Sequence, residues 1–218
     1  MRTLAIGDIH GCRRSLEALA AAVDFSRDDV IVTLGDYVDR GPDSKGVIDF
    51  LITLGKSRRV VPLRGNHEVM MLGARQNRLE VLDWMRCGGD ATIDSYAANT
   101  LDDIPAAHWA FLEATRPFYE NATHFFVHAN AWPDLRLKDQ PDFMLYWEFL
   151  HDPAPHQSGK TMICGHTSQK SGQVLDLGHA VCIDTFAHGG GWLTCLDPDS
   201  RIYWQANEHG ETRVDKLE

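Results

Sequence analysis

Short apolar runs alternate with amphipathic segments through the first third of the chain. Three runs, each with the length of a buried strand, occupy residues 4–6, 30–34 and 60–63. Between them, apolar residues recur at intervals of three and four, which predicts two helices. We expect Ser15 to cap the first helix and either Asp43 or Ser44 to open the second. Repeated strand–helix–strand units predict an α/β core with parallel strands.

The pattern changes after residue 76. Residues 77–113 have helical periodicity, interrupted near residues 87–90 by two adjacent glycines, and we interpret about 77–115 as a helical insert. Beyond it the chain favours β-structure. One strand at 161–164 and hairpins at 118–129, 173–184 and 192–204 are predicted. The polar tail after residue 207 is expected to be frayed.

Composition limits the class of protein. The 218 residues carry a formal charge of −10, which argues against a general nucleic-acid binder because phosphate backbones require cationic side chains. The five cysteines form no CxxC pair, so we expect reduced, mostly structural thiols and a cytoplasmic location. No signal peptide is visible, and because no run approaches about 20 apolar residues, we expect no membrane segment. No feature marks a dimer interface, so a monomer is expected.

Polar, chemically reactive residues follow five of the predicted strands. They are GDIHG at 7–11, GDYVDRG at 35–41, GNHE at 65–68, His128, and GHT at 165–167. Since open α/β sheets bind ligands beyond the carboxyl ends of their strands, we expect these residues to converge at one edge of the sheet. Any one of them is commonplace as an ordinary turn or core residue. Five at successive strand ends indicate a shared site.

The residue types favour a centre with two divalent metals. Carboxylate, imidazole and amide ligands suit Mn, Fe or Zn better than an ion that prefers thiolates. Asp36 is the candidate bridge, because a carboxylate can span the ~3.5–4 Å between the ions of such centres. Arg40 offers a planar fork that matches two phosphate oxygens.

The three motifs GDIHG, GDYVDRG and GNHE resemble the signature blocks of the PPP-type phosphoprotein phosphatases, within the calcineurin-like metallophosphoesterase superfamily. The segments WMRCGGDATIDSY, IPAAHWAFL, FFVHAN and ICGHT resemble those of the small bacterial members, in the same order. The resemblance extends over residues 2–197 and implies an αββα sandwich. We therefore expect residues 1–218 to form a single catalytic domain.

The resemblance also implies roles for individual residues. The first metal would be held by Asp8, His10 and Asp36, and the second by Asp36, Asn66, His128 and His166. Metal-bound hydroxide would attack phosphorus, and His67 would protonate the leaving group as a general acid, kept protonated and oriented by Asp39. Arg40, Arg64 and Asn66 would bind substrate. Mn²⁺ is the expected metal, with Fe or Zn as alternatives.

The sequence departs from the family where many members carry a phosphate-holding arginine after a tryptophan. The corresponding segment, with Trp147, has none, and Arg75 or Arg136 are candidates to replace it. A serine/threonine protein phosphatase is the leading hypothesis, with a phosphorylated protein or small phosphoester as substrate. The main alternative is a symmetrical bis(5'-nucleosyl)-tetraphosphatase, a group that tends to have Asp at position 68 and to lack the Asp39–Arg40 pair. A catalytically inactive phosphate-binding module is the third hypothesis.

Overall fold

A computed structural model describes residues 1–218 as two β-sheets with helices on their outer faces. The strands in chain order are β1 (Thr3–Ile6), β2 (Val30–Thr33), β3 (Arg59–Pro62), β4 (Phe118–Glu120), β5 (His124–Val127), β6 (Thr161–Cys164), β7 (Leu175–Asp176), β8 (Ala180–Cys182), β9 (Leu193–Asp197), β10 (Ile202–Ala206) and β11 (Thr212–Lys216). The helices are α1 (Arg13–Val23), α2 (Ser44–Gly55), α3 (Asn66–Gln76), α4 (Val81–Trp84), α5 (Asp90–Tyr96), α6 (Ala106–Glu113) and α7 (Asp142–Tyr146).

Strand order assigns three of the metal-ligand motifs to one sheet and two to the other. The first sheet runs β11-β10-β9-β1-β2-β3, and the second runs β4-β5-β6-β8-β7. The predicted parallel pairing is confirmed for β1, β2 and β3, and also holds for β5, β6 and β8. The three predicted hairpins are present as antiparallel pairs.

Alternating side chains divide the core into layers. On β1, Leu4 and Ile6 pack with α1 and α2, whereas Ala5 faces the second sheet. On β5, Phe126 packs between the sheets, whereas Phe125 joins an outer core with residues of α7. Since strand side chains point to opposite faces in turn, each sheet has one face on the other sheet and one on helices. The expected αββα sandwich is confirmed.

The helical segment after α3 consists of short helices joined by a π-turn (Met85–Gly89) and a 3₁₀ turn (Leu101–Asp103). Its Trp84, Trp109 and Leu112 belong to the same apolar core as α1 and α2. None of the helices in the structure is both long enough and apolar enough to cross a membrane.

Two local predictions were wrong. Ser15 does not cap α1, because the helix begins at Arg13 with Cys12 in the N-cap position, and Ser15 instead donates its hydroxyl to Glu208 at 2.9 Å. The tail is not frayed: β11 pairs with β10 over five residue pairs. The second helix does begin as expected, since the Asp43 side chain accepts a hydrogen bond from the Gly46 amide.

Candidate metal centre

The predicted site residues converge from both sheets, and not from the edge of one sheet as the strand pattern suggested. The loops after β1, β2 and β3 contribute the first three motifs, while His128 follows β5 and His166 follows β6. Two groups of side chains bring potential ligand atoms within 4.8 Å of one another. One group is His10, Asp36 and His67; the other is Asp36, His128 and His166.

Asp36 is common to both groups. Its Oδ2 lies 3.3 Å from His10 Nε2, and its Oδ1 lies 3.5 Å from His128 Nε2. Each carboxylate oxygen therefore faces a different imidazole, as a carboxylate shared between two cations would. The carboxylate has closely packed surroundings, since a Cβ on Gly65 would overlap it.

Backbone carbonyls fix the orientation of two imidazoles. His10 Nδ1 lies 2.9 Å from the Val38 carbonyl, and His128 Nδ1 lies 2.8 Å from the Leu34 carbonyl. Because a carbonyl only accepts, both Nδ1 atoms carry hydrogen, so that in a neutral ring the lone pair on Nε2 faces Asp36. Burial opposes the charged form of His10, but the neighbouring Asp36 raises its pKa. Burial lowers the pKa of His128, which favours the neutral ring. These are the tautomers that metal binding through Nε2 requires.

Asn66 provides a further indication that a cation fits here. Its Oδ1 lies 3.0 Å from His128 Nε2, although the neutral ring has no proton on that nitrogen. Two acceptor atoms that face each other without a shared proton repel, whereas they attract a cation placed between them. The donor set therefore fits a divalent metal.

Asp8 adds negative charge to the same space. Both of its oxygens accept from the His166 amide, at 3.0 and 3.2 Å. Burial, together with Asp184 and Asp36, raises the pKa of Asp8 well above its ordinary value. A bound cation would offset this cluster of buried carboxylates, but Asp8 belongs to neither of the two ligand groups, and its role as a metal ligand stays a prediction.

His166 lies at the outer edge of the second group. Its Nε2 lies 3.1 Å from the Trp147 carbonyl and donates to it, which leaves Nδ1 for the ligand cluster. Burial and the neighbouring His128 lower the pKa of His166 to about 4, so the ring is neutral at physiological pH. The Phe149 ring stacks on it with 4.9 Å between ring centroids.

His67 is paired with Asp39, the arrangement that the family resemblance implies. Its Nδ1 lies 2.7 Å from Asp39 Oδ2, and the pair is almost completely buried. Asp39 is fixed by further donors, Trp84 Nε1 at 2.9 Å and Thr92 Oγ1 at 2.7 Å. His67 Nε2 is buried without a hydrogen-bond partner, so one nitrogen remains for a reacting group or for an ion.

The arginines predicted to hold phosphate differ in position. Arg40 reaches into the site, with Nη1 3.0 Å from His10 Nε2. Arg64 binds the end of α6: its Nε donates to Thr115 Oγ1 at 2.9 Å and its Nη2 to the Glu113 carbonyl at 2.9 Å. Nη1 of Arg64 makes neither of these bonds, so this nitrogen is not committed to the end of α6. The predicted role of Arg64 in substrate binding remains a prediction.

Neither candidate for the missing arginine lies at the site. Arg75 pairs with Glu113 at 2.7 Å and lies over the Trp109 ring. Arg136 pairs with Asp139 at 2.6 Å on the surface. Both guanidinium groups are bound elsewhere, so the position near Trp147 has no cationic replacement from these two residues.

Half of the ten non-glycine residues with positive φ belong to the predicted site. They are His10, Asp36, Asp39, Arg40 and His166, with φ between 44° and 71°. Left-handed backbone is unfavourable for most residues with a side chain and persists where surrounding contacts enforce it. Here these left-handed turns lie in the loops that follow β1, β2 and β6 and carry the site residues.

Two residues at the site were not assigned a role from the sequence. The buried Glu68 carboxylate accepts from the amides of Asp36, Tyr37 and Gly65, each at 2.8 Å. Burial and the charge of Asp36 raise its pKa, whereas the three amide donors favour the ionised carboxylate and oppose the rise. His188 packs edge-on against His10 at 4.7 Å, and its Nδ1 is buried without a partner. The signal for Glu68 was its place in GNHE, and His188 had no sequence signal.

Residues 1–193 match the family model described as calcineurin-like phosphoesterase. The chain belongs to this metallophosphoesterase family. Serine/threonine-protein phosphatase 1 of Salmonella typhimurium is 40% identical over 202 residues, covering 87% of this chain and 88% of that protein. A symmetrical bis(5'-nucleosyl)-tetraphosphatase of an Acidovorax strain is 38% identical over 105 residues, but this match covers 39% of the chain and 37% of the tetraphosphatase.

A solved structure, the cold-active protein-tyrosine phosphatase of a psychrophilic Shewanella, matches this metallophosphoesterase with a TM-score of 0.71 over 98% of the chain and 80% of the Shewanella chain. The sequence identity is 17%, so this likeness shows the fold alone. The predicted family and fold are confirmed. The protein is a phosphoesterase of a family that uses divalent metals.

Proposed function

We propose that this metallophosphoesterase is a two-metal phosphomonoester hydrolase that dephosphorylates phosphoserine and phosphothreonine in proteins. The proposed ligands of the first ion are Asp8, His10 and Asp36, and those of the second are Asp36, Asn66, His128 and His166. Mn²⁺ is the proposed metal, because all these ligands are oxygen or nitrogen atoms, and Fe or Zn would fit the same set. When bound, the ions supply Lewis acidity and water of lowered pKa.

The chain's own residues bind the phosphate and direct it. Arg40 projects over the first ligand group, where its guanidinium can pair with two phosphate oxygens. The amide group of Asn66 lies beside His128 and is within reach of both an ion and the substrate. We assign the phosphate contact mainly to Arg40.

The buried pair of Asp39 and His67 is the observation that carries the proposal. Asp39 holds Nδ1 of His67 at 2.7 Å and thereby turns Nε2 toward the ligand groups. A seryl or threonyl alkoxide is a very basic leaving group, so a donor placed beside it lowers the barrier to P–O cleavage. We propose that Nε2 of His67 donates this proton.

The leaving group also distinguishes the two candidate functions. Symmetrical cleavage of a dinucleoside tetraphosphate releases a nucleoside diphosphate, whose phosphate oxygen departs without needing a strong acid. The fixed Asp39–His67 pair suits the more basic alkoxide. The phosphatase relative is also matched over 88% of its length and the tetraphosphatase over 37%. The tetraphosphatase remains the second candidate because that partial match has similar identity.

We further propose that residues 1–218 form one catalytic domain and that it acts as a monomer in the cytoplasm. The support for a single domain is the common apolar core: Trp84, Trp109 and Leu112 of the helical insert pack with residues of α1 and α2. If a variant with residues 77–115 deleted folded stably and retained activity, this assignment would be contradicted.

The test is a side-by-side assay on phosphoserine and phosphothreonine peptides and on diadenosine tetraphosphate. The protein is first stripped of metal with a chelator and then reconstituted with Mn²⁺. Faster turnover of the peptides, measured as kcat/KM, supports the protein phosphatase. A clear preference for diadenosine tetraphosphate would replace it with the second candidate. Failure to hydrolyse any phosphoester with both ions bound would indicate an inactive phosphate-binding module.

A further inference from the structure

A cleft of about 300 Å³ opens beside the second ligand group. Its lining includes Trp132, Phe143, Glu148 and Phe149. The Phe149 ring stacks on His166 with 26° between the ring planes, so the cleft begins where the proposed metal centre ends. A group bound in the cleft would therefore lie next to a phosphate at the metals.

The lining is unusually rich in exposed aromatic side chains. Trp132 is 47% exposed, Phe143 is 55% exposed and Phe149 is 53% exposed, and Trp147 beside them is 38% exposed. These four account for every aromatic residue among the large hydrophobic side chains that the structure leaves exposed. Such concentration on one surface marks a binding site more often than scattered apolar residues do.

Glu148 is the one acidic side chain that lines the cleft, and no arginine or lysine lines it. Arg136 and Lys138, the cations of the same segment, line a different cleft. Glu148 is half-buried in the wall and takes part in none of the salt bridges of the structure. The cleft thus offers an apolar surface with a free carboxylate, which complements an apolar group next to a cation.

We propose that this cleft binds the polypeptide next to the phosphorylated residue, with an apolar side chain against Phe143 and Trp132 and a basic side chain near Glu148. The inference rests on the proposed function and specifies its substrate. A nucleotide fits less well, because its polyphosphate would bring negative charge toward Glu148. The segment around Trp147 also lacks a phosphate-binding arginine. Contacts with the residues that flank the phosphorylated residue therefore supply affinity that such an arginine would otherwise provide.

Phosphoserine peptides test the proposal. One reference peptide has alanine at the three positions on either side of phosphoserine, and the others carry a single leucine or arginine at each position in turn. At one or more positions, leucine is expected to raise kcat/KM about tenfold, the effect typical of a small apolar group entering a pocket. Arginine at a neighbouring position is expected to raise it further, and this gain is expected to disappear in Glu148→Gln.

Phe143→Ala is the decisive variant, since Phe143 lines the cleft without belonging to either ligand group. It is expected to abolish the preference for leucine while leaving hydrolysis of p-nitrophenyl phosphate unchanged, because that substrate has no flanking residues. Leu177→Ala is the matched control: Leu177 is 38% exposed, in the turn between β7 and β8, and does not line the cleft. This control is expected to retain the preference.

The possible failures are distinguishable. If leucine changes kcat/KM at no position, or if Phe143→Ala behaves like Leu177→Ala on every peptide, the cleft is not a peptide subsite. If Phe143→Ala selectively slows hydrolysis of diadenosine tetraphosphate, the cleft binds a nucleobase, and the peptide inference is refuted. If no phosphopeptide is hydrolysed while other phosphoesters are, the proposed function itself fails.

Discussion

Replacing His67 with asparagine is expected to separate proton transfer from metal binding. Asp39 would lose the hydrogen bond from His67 Nδ1 and keep those from Trp84 and Thr92. One lost bond to a charged group costs about 1.5–3 kcal/mol, which a protein of ordinary stability tolerates. The substitution leaves all six proposed ligands in place, so both ions are expected to remain bound.

The expected loss of activity depends on the leaving group. General acid catalysis contributes about 10²–10⁴-fold, equivalent to roughly 3–5 kcal/mol of barrier at about 1.4 kcal/mol per factor of ten. A phosphoserine peptide needs this proton and is expected to lose most of that factor. The p-nitrophenolate ion is a far weaker base, so p-nitrophenyl phosphate is expected to lose about tenfold or less, provided that chemistry limits both rates.

The assay compares kcat on both substrates and counts bound metals by elemental analysis of the same samples. Asp39→Asn is the matched variant, because it keeps the imidazole but removes the orienting charge. It is also expected to slow the phosphoserine peptide more than p-nitrophenyl phosphate, but by a smaller factor. Equal losses on the two substrates, with both metals present, would refute leaving-group protonation by His67. Loss of one metal would make His67 a ligand, as its place in a group with His10 and Asp36 allows.

Four further substitutions are each expected to affect one feature. Asp36→Asn is expected to lose bound metal and activity together, because an amide cannot bridge two cations as a carboxylate does; retention of two metals in elemental analysis would contradict the bridge. Arg40→Ala is expected to weaken inhibition by inorganic phosphate with metal content unchanged, and unaltered inhibition would assign the anion to another group. Glu68→Gln is expected to lower the free energy of unfolding in urea by about 1–3 kcal/mol, since its NH₂ would face backbone donors. Asp29→Asn is expected to lower the free energy of unfolding in urea by a similar amount at neutral pH. Burial opposes ionisation of Asp29, but hydrogen bonds from Arg2 lower its pKa. The stability that the parent protein gains over the variant is therefore present above the unfolded pKa of the carboxyl group. It is lost as pH falls through the folded pKa.

The positions of the strands could be predicted because their signals are local. The apolar runs before Asp8, Asp36 and Asn66 end at Gly-polar turns, and the structure ends β1, β2 and β3 two, three and four residues before these positions. β11 was missed for a tertiary reason. It is a charged edge strand with little apolar content, typical of sheet edges, and it is held by its pairing with β10.

The convergence of the site could be predicted only in part. Strand order within one sheet explains why Asp8, Asp36 and Asn66 meet, but no local pattern shows that β5 and β6 belong to a second sheet packed face to face with the first. The resemblance to a known family supplied that information. Contacts distant in sequence also remained invisible, such as the hydrogen bond between His128 and the Leu34 carbonyl.

Glu68 shows how the fold maintains an unfavourable backbone at the site. Asp36 has a φ of 50°, and left-handed or otherwise sparsely populated conformations cost about 1–3 kcal/mol each when other contacts do not offset them. The Glu68 carboxylate binds the amides of Asp36 and Gly65, and so joins the loop after β2 to the start of α3. That helix begins with Asn66 and His67. One buried carboxylate therefore fixes the proposed bridge relative to the proposed general acid before substrate or metal binds, which reduces the reorganisation that catalysis would otherwise require.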